Sequence, residues 1–179
     1  MAKKDMDTDQ VAIEAMSDEA DDNLITLSTG VILRGKPAPV QTLIKVIARF
    51  TFPDPPEYVN KTTGRTMQNP DDPNYIKRVN AIDAQQADAV LNVLILGGTE
   101  IVSVPKKFPK PEDDLWIEEY SMLDPDIYPD NKYWRYLTWV KFKAAPEGTD
   151  SKKIQEVAGR LSGLSEDTVK AAETFPGGG

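Results

Sequence analysis

The stretch that most limits what this chain can fold into is Asp72 to Gly98, DPNYIKRVNAIDAQQADAVLNVLILGG. Asp72 can accept hydrogen bonds from the first free N–H groups of a helix, and Pro73 suits the first helical position. Ile76, Val79, Ile82, Gln86, Val90 and Val93 recur at helical spacing, with Arg78, Asp83, Gln85 and Asp88 mainly outside that stripe. From Ala89 to Leu96 only Asn92 is polar, which predicts burial on most sides at this end. Gly97-Gly98 reads as a left-handed stop. At about 1.5 Å per residue such a helix is long enough to cross a small domain.

The chain has 179 residues, enough for one domain with a real core. It contains no cysteine and no histidine. Disulfides, thiolate nucleophiles, zinc-finger sites, imidazole bases and Ser-His-Asp triads are therefore excluded. A carboxylate-only magnesium or calcium site, or a carboxylate acid/base pair, stays open. Of the net charge of −8, Met1 to Asp22 supplies −6, with eight carboxylates against Lys3 and Lys4. Residues 1–22 read as a disordered acidic leader, in which Val11, Ile13 and Met16 could form a short docking helix. The near-neutral remainder argues against bulk affinity for nucleic acid or for an anionic membrane surface. No apolar run approaches the roughly 20 residues of a membrane span, and no signal-peptide pattern opens the chain, so cytoplasmic residence is expected.

Between leader and central helix, Ile25, Leu27, Val31 and Leu33 flank Ser28-Thr29-Gly30, predicting two short strands or one bulged strand. Val40 to Phe50 reads as a helix with Val40, Leu43, Ile44, Ile47 and Phe50 on one face. Tyr58-Val59 and Thr66-Met67 can pair as a hairpin around Lys61-Thr62-Thr63-Gly64. That hairpin is either an arm reaching a partner or a plain exposed connection. Thr99 to Val104 is a short strand that could pair with the one near Ile25. Glu112-Asp113-Asp114 starts a helix through Leu123, ended by Asp124-Pro125-Asp126.

Nine of the fourteen aromatic residues lie between Phe108 and Phe142, so the second half must bury its largest surfaces there. Tyr133, Trp134, Leu137 and Val140 make one helical face, with Tyr136 and Trp139 beside it. Lys132, Arg135, Lys141 and Lys143 surround that face; the interleaving could hold nucleic-acid bases, but the helical spacing favours core or a protein-binding groove. A helix capped by Asp150 or Ser151 runs from Lys152 to Leu161, and a second starts at Ser165. Leu161, Leu164, Val169, Ala172 and Phe175 can pack the two together. Residues 176–179 read as a flexible glycine tail, leaving 23–175 as a single globular domain of α+β class, mostly helical with a small β component.

Nothing here points to catalysis. Gly97-Gly98-Thr99 lacks the Gly-Lys-Ser/Thr ending of a phosphate loop and leaves a helix rather than entering one. Asp71-Asp72 and Glu112-Asp113-Asp114 sit where helix starts favour acidic residues, and their spacing matches no calcium loop. A non-enzymatic protein without cofactor or metal is expected. The contact residues the sequence nominates are Tyr133, Trp134, Tyr136 and Trp139 on the aromatic helix, then Tyr58 and Met67 on the hairpin.

The order of segments (TLSTGVIL, NPDDPNY, GTEIVSVP, PEDDLWIEEY, YWRYLTWVKF, RLSGLSEDTVKAAETF) resembles a group of tailed-bacteriophage proteins encoded among the tail genes. They are described as tail assembly chaperones or small tail-associated proteins. The resemblance spans about Leu24 to Phe175. It implies a protein that binds the tape measure protein and helps recruit tail tube subunits in the cytoplasm of the infected host, sometimes with a longer frameshifted product. Chaperones of this kind are often more uniformly helical than this chain. Two other roles stay open: a virion component, such as a connector or minor tail protein reaching neighbouring subunits, and a host-directed acidic binding protein. Neither nucleic acid nor membrane is expected as a partner; a homo-oligomer is allowed.

Overall fold

The computed structural model describes residues 22–123 and 131–163. Among them, five α-helices accompany two small antiparallel sheets, an α+β fold dominated by helix. The acidic leader before Asp22, the Asp124-Pro125-Asp126 stop, the helix expected from Ser165 and the glycine tail lie outside the described residues.

The first strands are β1 (Leu24–Thr26) and β2 (Ile32–Gly35), which pair antiparallel with Ile25 opposite Leu33. Ser28-Thr29-Gly30 turns between them, and Gly30 takes the left-handed conformation that turn requires (φ +80°). The strand predicted at Thr99, β5 (Thr99–Ser103), joins this sheet beside β2, not beside the Ile25 strand as expected. In the order β1-β2-β5 the central strand pairs with β1 on one edge and β5 on the other, and its C-terminal end is tied to both neighbouring segments. Its Gly35 N–H reaches the Asn23 carbonyl, and the next residue, Lys36, donates to the Gly98 carbonyl at 2.8 Å.

Helix α1 (Val40–Ile47) buries Leu43 and Ile47 and stops earlier than Phe50. The hairpin β3 (Glu57–Val59) and β4 (Thr66–Gln68) forms as its sequence predicts. The Asn60 side-chain oxygen takes the Thr62 and Thr63 N–H groups, and Gly64 supplies the positive φ (+67°). Helix α2 (Pro73–Gly98) starts where Asp72 Oδ1 accepts from Asn74 and Tyr75 N–H, both at 2.9 Å. At 26 residues it spans about 39 Å.

Gly97-Gly98 is not a left-handed stop. Both glycines are helical, and the chain leaves through Thr99 in extended conformation. Their smallness serves packing instead. A Cβ on Gly97 would come within 2.5 Å of Pro39 Cδ, and one on Gly98 within 3.0 Å of Ala158 Cβ. Ala38, Leu43, Leu94 and Ala158 form the small core where these segments meet.

The main core gathers Ile25, Leu27, Val31 and Leu33 from the sheet, Ile95 from α2, and Trp116 and Ile117 from α3 (Asp114–Ser121). Helix α4 (Lys132–Trp139), capped by the Asn131 side chain, continues into one π-helical turn, Val140–Ala144. Its buried residues are Thr138, Trp139, Val140 and Ala144; of the expected face Tyr133, Trp134, Leu137 and Val140, Val140 is in the core and Leu137 packs against it, while Tyr133 and Trp134 are turned from it. The reason is Trp139: its indole N–H donates to the Pro109 carbonyl at 2.7 Å, and Phe108 meets its ring edge-on.

Helix α5 (Gly148–Leu161) closes the fold. The cap expected of Asp150 or Ser151 falls instead at Glu147, which makes no side-chain cap bond. Asp150 is wholly buried and reaches across to the β1–β2 turn. Its carboxylate accepts from the Ser28 N–H at 2.9 Å and from Ser28 Oγ at 2.5 Å. Thr29 Oγ1 donates to the Ala144 carbonyl at 2.7 Å, so a three-residue turn is fixed to both closing elements.

Candidate protein-binding surfaces

Three members of the acidic clusters, Asp72, Asp113 and Asp114, are committed to the scaffold. Asp72 caps α2, and Asp113 Oδ2 accepts from the Lys110 N–H at 2.7 Å ahead of α3. Among the described residues no group of three or more Asp and Glu could hold a metal ion, and no buried side-chain nitrogen or oxygen lacks a hydrogen-bond partner.

Three of the four basic residues around the aromatic helix are tethers. Lys141 Nζ contacts Asp88 Oδ1 of α2 at 2.5 Å and Asn92 Oδ1 at 3.1 Å. Lys143 Nζ contacts Glu119 of α3 at 2.5 Å and lies over the Tyr120 ring. Arg135 reaches Asp114 at 3.3 Å. Each half-exposed pair contributes about 0.2–1 kcal/mol. Together they orient α4 and the π turn against α2 and α3, a use that the interleaved sequence did not disclose.

Between those three elements runs an open groove lined by Asn92, Tyr120, Leu123, Trp134, Leu137, Thr138, Lys141 and Phe142. Tyr120 donates its hydroxyl to the Phe142 carbonyl at 2.8 Å, with the rings 5.4 Å apart. Burial raises the Tyr120 pKa, partly offset by the Lys143 ammonium. Met122 (88 % exposed), Leu123 (76 %) and Tyr133 (63 %) stand uncovered. Several large apolar side chains exposed on neighbouring elements are the composition of an interaction surface.

The four aromatic residues nominated by the sequence separate here. Tyr133 is exposed, and Trp134 lines the groove. Trp139 is core and reaches no surface. Tyr136 is turned inward with its hydroxyl 2.7 Å from Thr99 Oγ1. Thr99 directs its own hydroxyl proton to the Ile95 carbonyl, so the Tyr136 hydroxyl donates. Burial, the largest influence, holds the Tyr136 pKa at about 12. Tyr120, Leu123 and Phe142 are not among the contact residues that the sequence nominates. The density of aromatics between Phe108 and Phe142 was the signal that covered Tyr120 and Phe142.

The second nominated surface is the hairpin. Tyr58 and Met67 face each other across it, with Tyr58 Oη 3.9 Å from Met67 Sδ. All six strand residues are exposed, and the two strands pack chiefly on each other.

No family model, curated protein or solved structure matches the chain. Among the described residues, no helix is long and apolar enough to cross a membrane.

Proposed function

We propose that this chain is a non-enzymatic assembly chaperone for a bacteriophage tail. In this reading it works in the cytoplasm of the infected bacterium and holds an amphipathic helix of the tape measure protein in the groove between α2, α3 and α4. The observation that carries the reading is that groove. Trp134, Leu137, Tyr120 and Phe142 offer an apolar floor, and Lys141 and Asn92 offer polar contacts at one side. A helix with apolar residues at spacings of three and four fits such a trough. The phage setting rests on the order of sequence segments quoted above.

The test is co-expression with the tape measure protein encoded alongside it, followed by affinity recovery. Phe142→Glu and Leu123→Glu place a carboxylate at exposed groove positions and should lower recovery by about tenfold or more, the effect of losing a central contact. Undiminished recovery with both folded variants would refute the groove assignment.

The hairpin favours a second reading, a connector or minor tail protein whose arm reaches a neighbouring subunit. A two-stranded ribbon without a packed face is marginal alone and gains from being covered. Quantitative mass spectrometry of purified virions separates the two. Absence from particles supports the chaperone, and a fixed copy number supports the connector.

A further inference from the structure

A second groove lies on the other side of α2, between α1, α2 and α5. Ala87 and Val90 give it an accessible apolar floor above the buried Ile47 and Leu94, and Asp83, Glu156 and Arg160 are the charged groups that line it. Helix α5 crosses at its Leu94 end, where Ala158 packs with Leu94 and would meet a side chain on Gly98. The Gln86 side-chain amide donates to the Ile47 carbonyl near the Asp83 end. From Asp83 to Leu94 the floor runs about 16 Å along α2. Ile76 lies two helical turns beyond Asp83 on the same side and is also exposed.

The chain that precedes the described body starts at the rim of this groove. Arg160 Nη2 donates to the Asp22 carbonyl at 2.8 Å, which fixes where residues 1–21 depart. Immediately before that point stands AIEAMSDEAD, Ala12 to Asp21. Ile13, Met16 and Ala20 fall at spacings of three and four, one face of a helix. Glu14, Asp18, Glu19 and Asp21 fall on its other sides. Ten residues of helix cover about 15 Å, close to the length of the floor. The acidic face would then remain toward water, away from Asp83 and Glu156.

We propose that the leader docks in cis on this groove as a short amphipathic helix, with Ile13, Met16 and Ala20 against Ala87 and Val90. It is an intramolecular occupant independent of the aromatic groove and of the tail-assembly reading.

The chain lacks cysteine, so Ser17→Cys gives a single attachment point for a nitroxide spin label. NMR of the isotope-labelled protein should show loss of amide signal for Gln86 to Val90 and Gln155 to Gly159, with signals of the β1–β2 turn retained. Adding Met16→Asp, or Ala87→Glu at an exposed position of the groove, should restore those signals; Met16→Asp lies outside the described body and keeps the test valid if Ala87→Glu disturbs folding. The proposal is overturned if the groove signals survive in the spin-labelled chain. It is equally overturned if their loss appears when isotope-labelled, unmodified chain is mixed with spin-labelled chain, since a second copy is then the occupant. A label at Thr168→Cys that bleaches the groove in place of the Ser17→Cys label assigns it to residues 164–179 and also overturns it.

Discussion

Replacing Asp150 tests whether a buried carboxylate, and not helix capping, joins the two ends of the fold. The residue is wholly buried and accepts two hydrogen bonds from Ser28, with Lys153 Nζ 3.5 Å away. Hydrogen bonds to a charged acceptor contribute about 1.5–3 kcal/mol each. Ser28 is itself exposed, so its N–H and hydroxyl regain water when the carboxylate goes, which puts the loss toward the low end. Asp150→Ala should therefore destabilise by about 3 kcal/mol. Asp150→Asn keeps one acceptor for the Ser28 N–H and should lose about 1 kcal/mol. Ser28→Ala removes only the hydroxyl bond, and a Ser28→Ala/Asp150→Ala cycle should give a coupling of about 1 kcal/mol. Urea denaturation followed by tryptophan fluorescence reads these values, since Trp116 and Trp139 are in the core. An Asp150→Ala midpoint shift worth less than about 0.5 kcal/mol, the range of ordinary surface substitutions, would refute the reasoning.

Three further outcomes follow from the packing. Gly97→Ala gains about 1 kcal/mol of helix propensity but drives a methyl to 2.5 Å from Pro39 Cδ, so a net loss of about 1–2 kcal/mol is expected; a stabilised variant would show that Pro39 yields freely. Trp139→Ala should cost about 3–5 kcal/mol, whereas Tyr133→Ala should stay within about 0.5 kcal/mol; similar denaturation midpoints for the two would contradict the assigned rotation of α4. Tyr136 titrates near 12 in the fold against about 10 when unfolded, so the unfolded chain releases its proton first. Its contribution is fully present below pH 10 and falls by roughly 3 kcal/mol as pH rises through 12; Tyr136→Phe should flatten that part of the stability profile, and an unchanged slope would count against it.

The local rules in this sequence were readable where one residue decides one geometry. Asp72 and Pro73 start α2, and Gly30 and Gly64 turn their hairpins, all through chemistry within a few positions. What the sequence concealed depends on distant partners. Gly97-Gly98 has the composition of a helix stop, yet Pro39 and Ala158 decide its role. Trp139 takes the core in place of Trp134 because the Pro109 carbonyl accepts its N–H, a pairing across 30 positions. The π turn adds a further rotation that a period of 3.6 cannot anticipate, which is why Phe142 and the groove beside it were not among the nominated contacts. Asp150 was placed at a helix start by its local context, while its bonds run to a turn 122 positions earlier.

The bond from Arg160 to Asp22 carries a consequence for how this chain can be rebuilt. It places the first and last described stretches of the body side by side, with Gly163 only three residues beyond Arg160. A body whose ends meet can be joined there by a short linker and cut open elsewhere with its core contacts kept. The exposed Thr62-Thr63-Gly64 tip is the natural place to cut, because no core side chain depends on continuity there. A circular permutant starting at Arg65 would carry β4 at one terminus and β3 at the other, turning the hairpin into two free strands that come together only when something holds them.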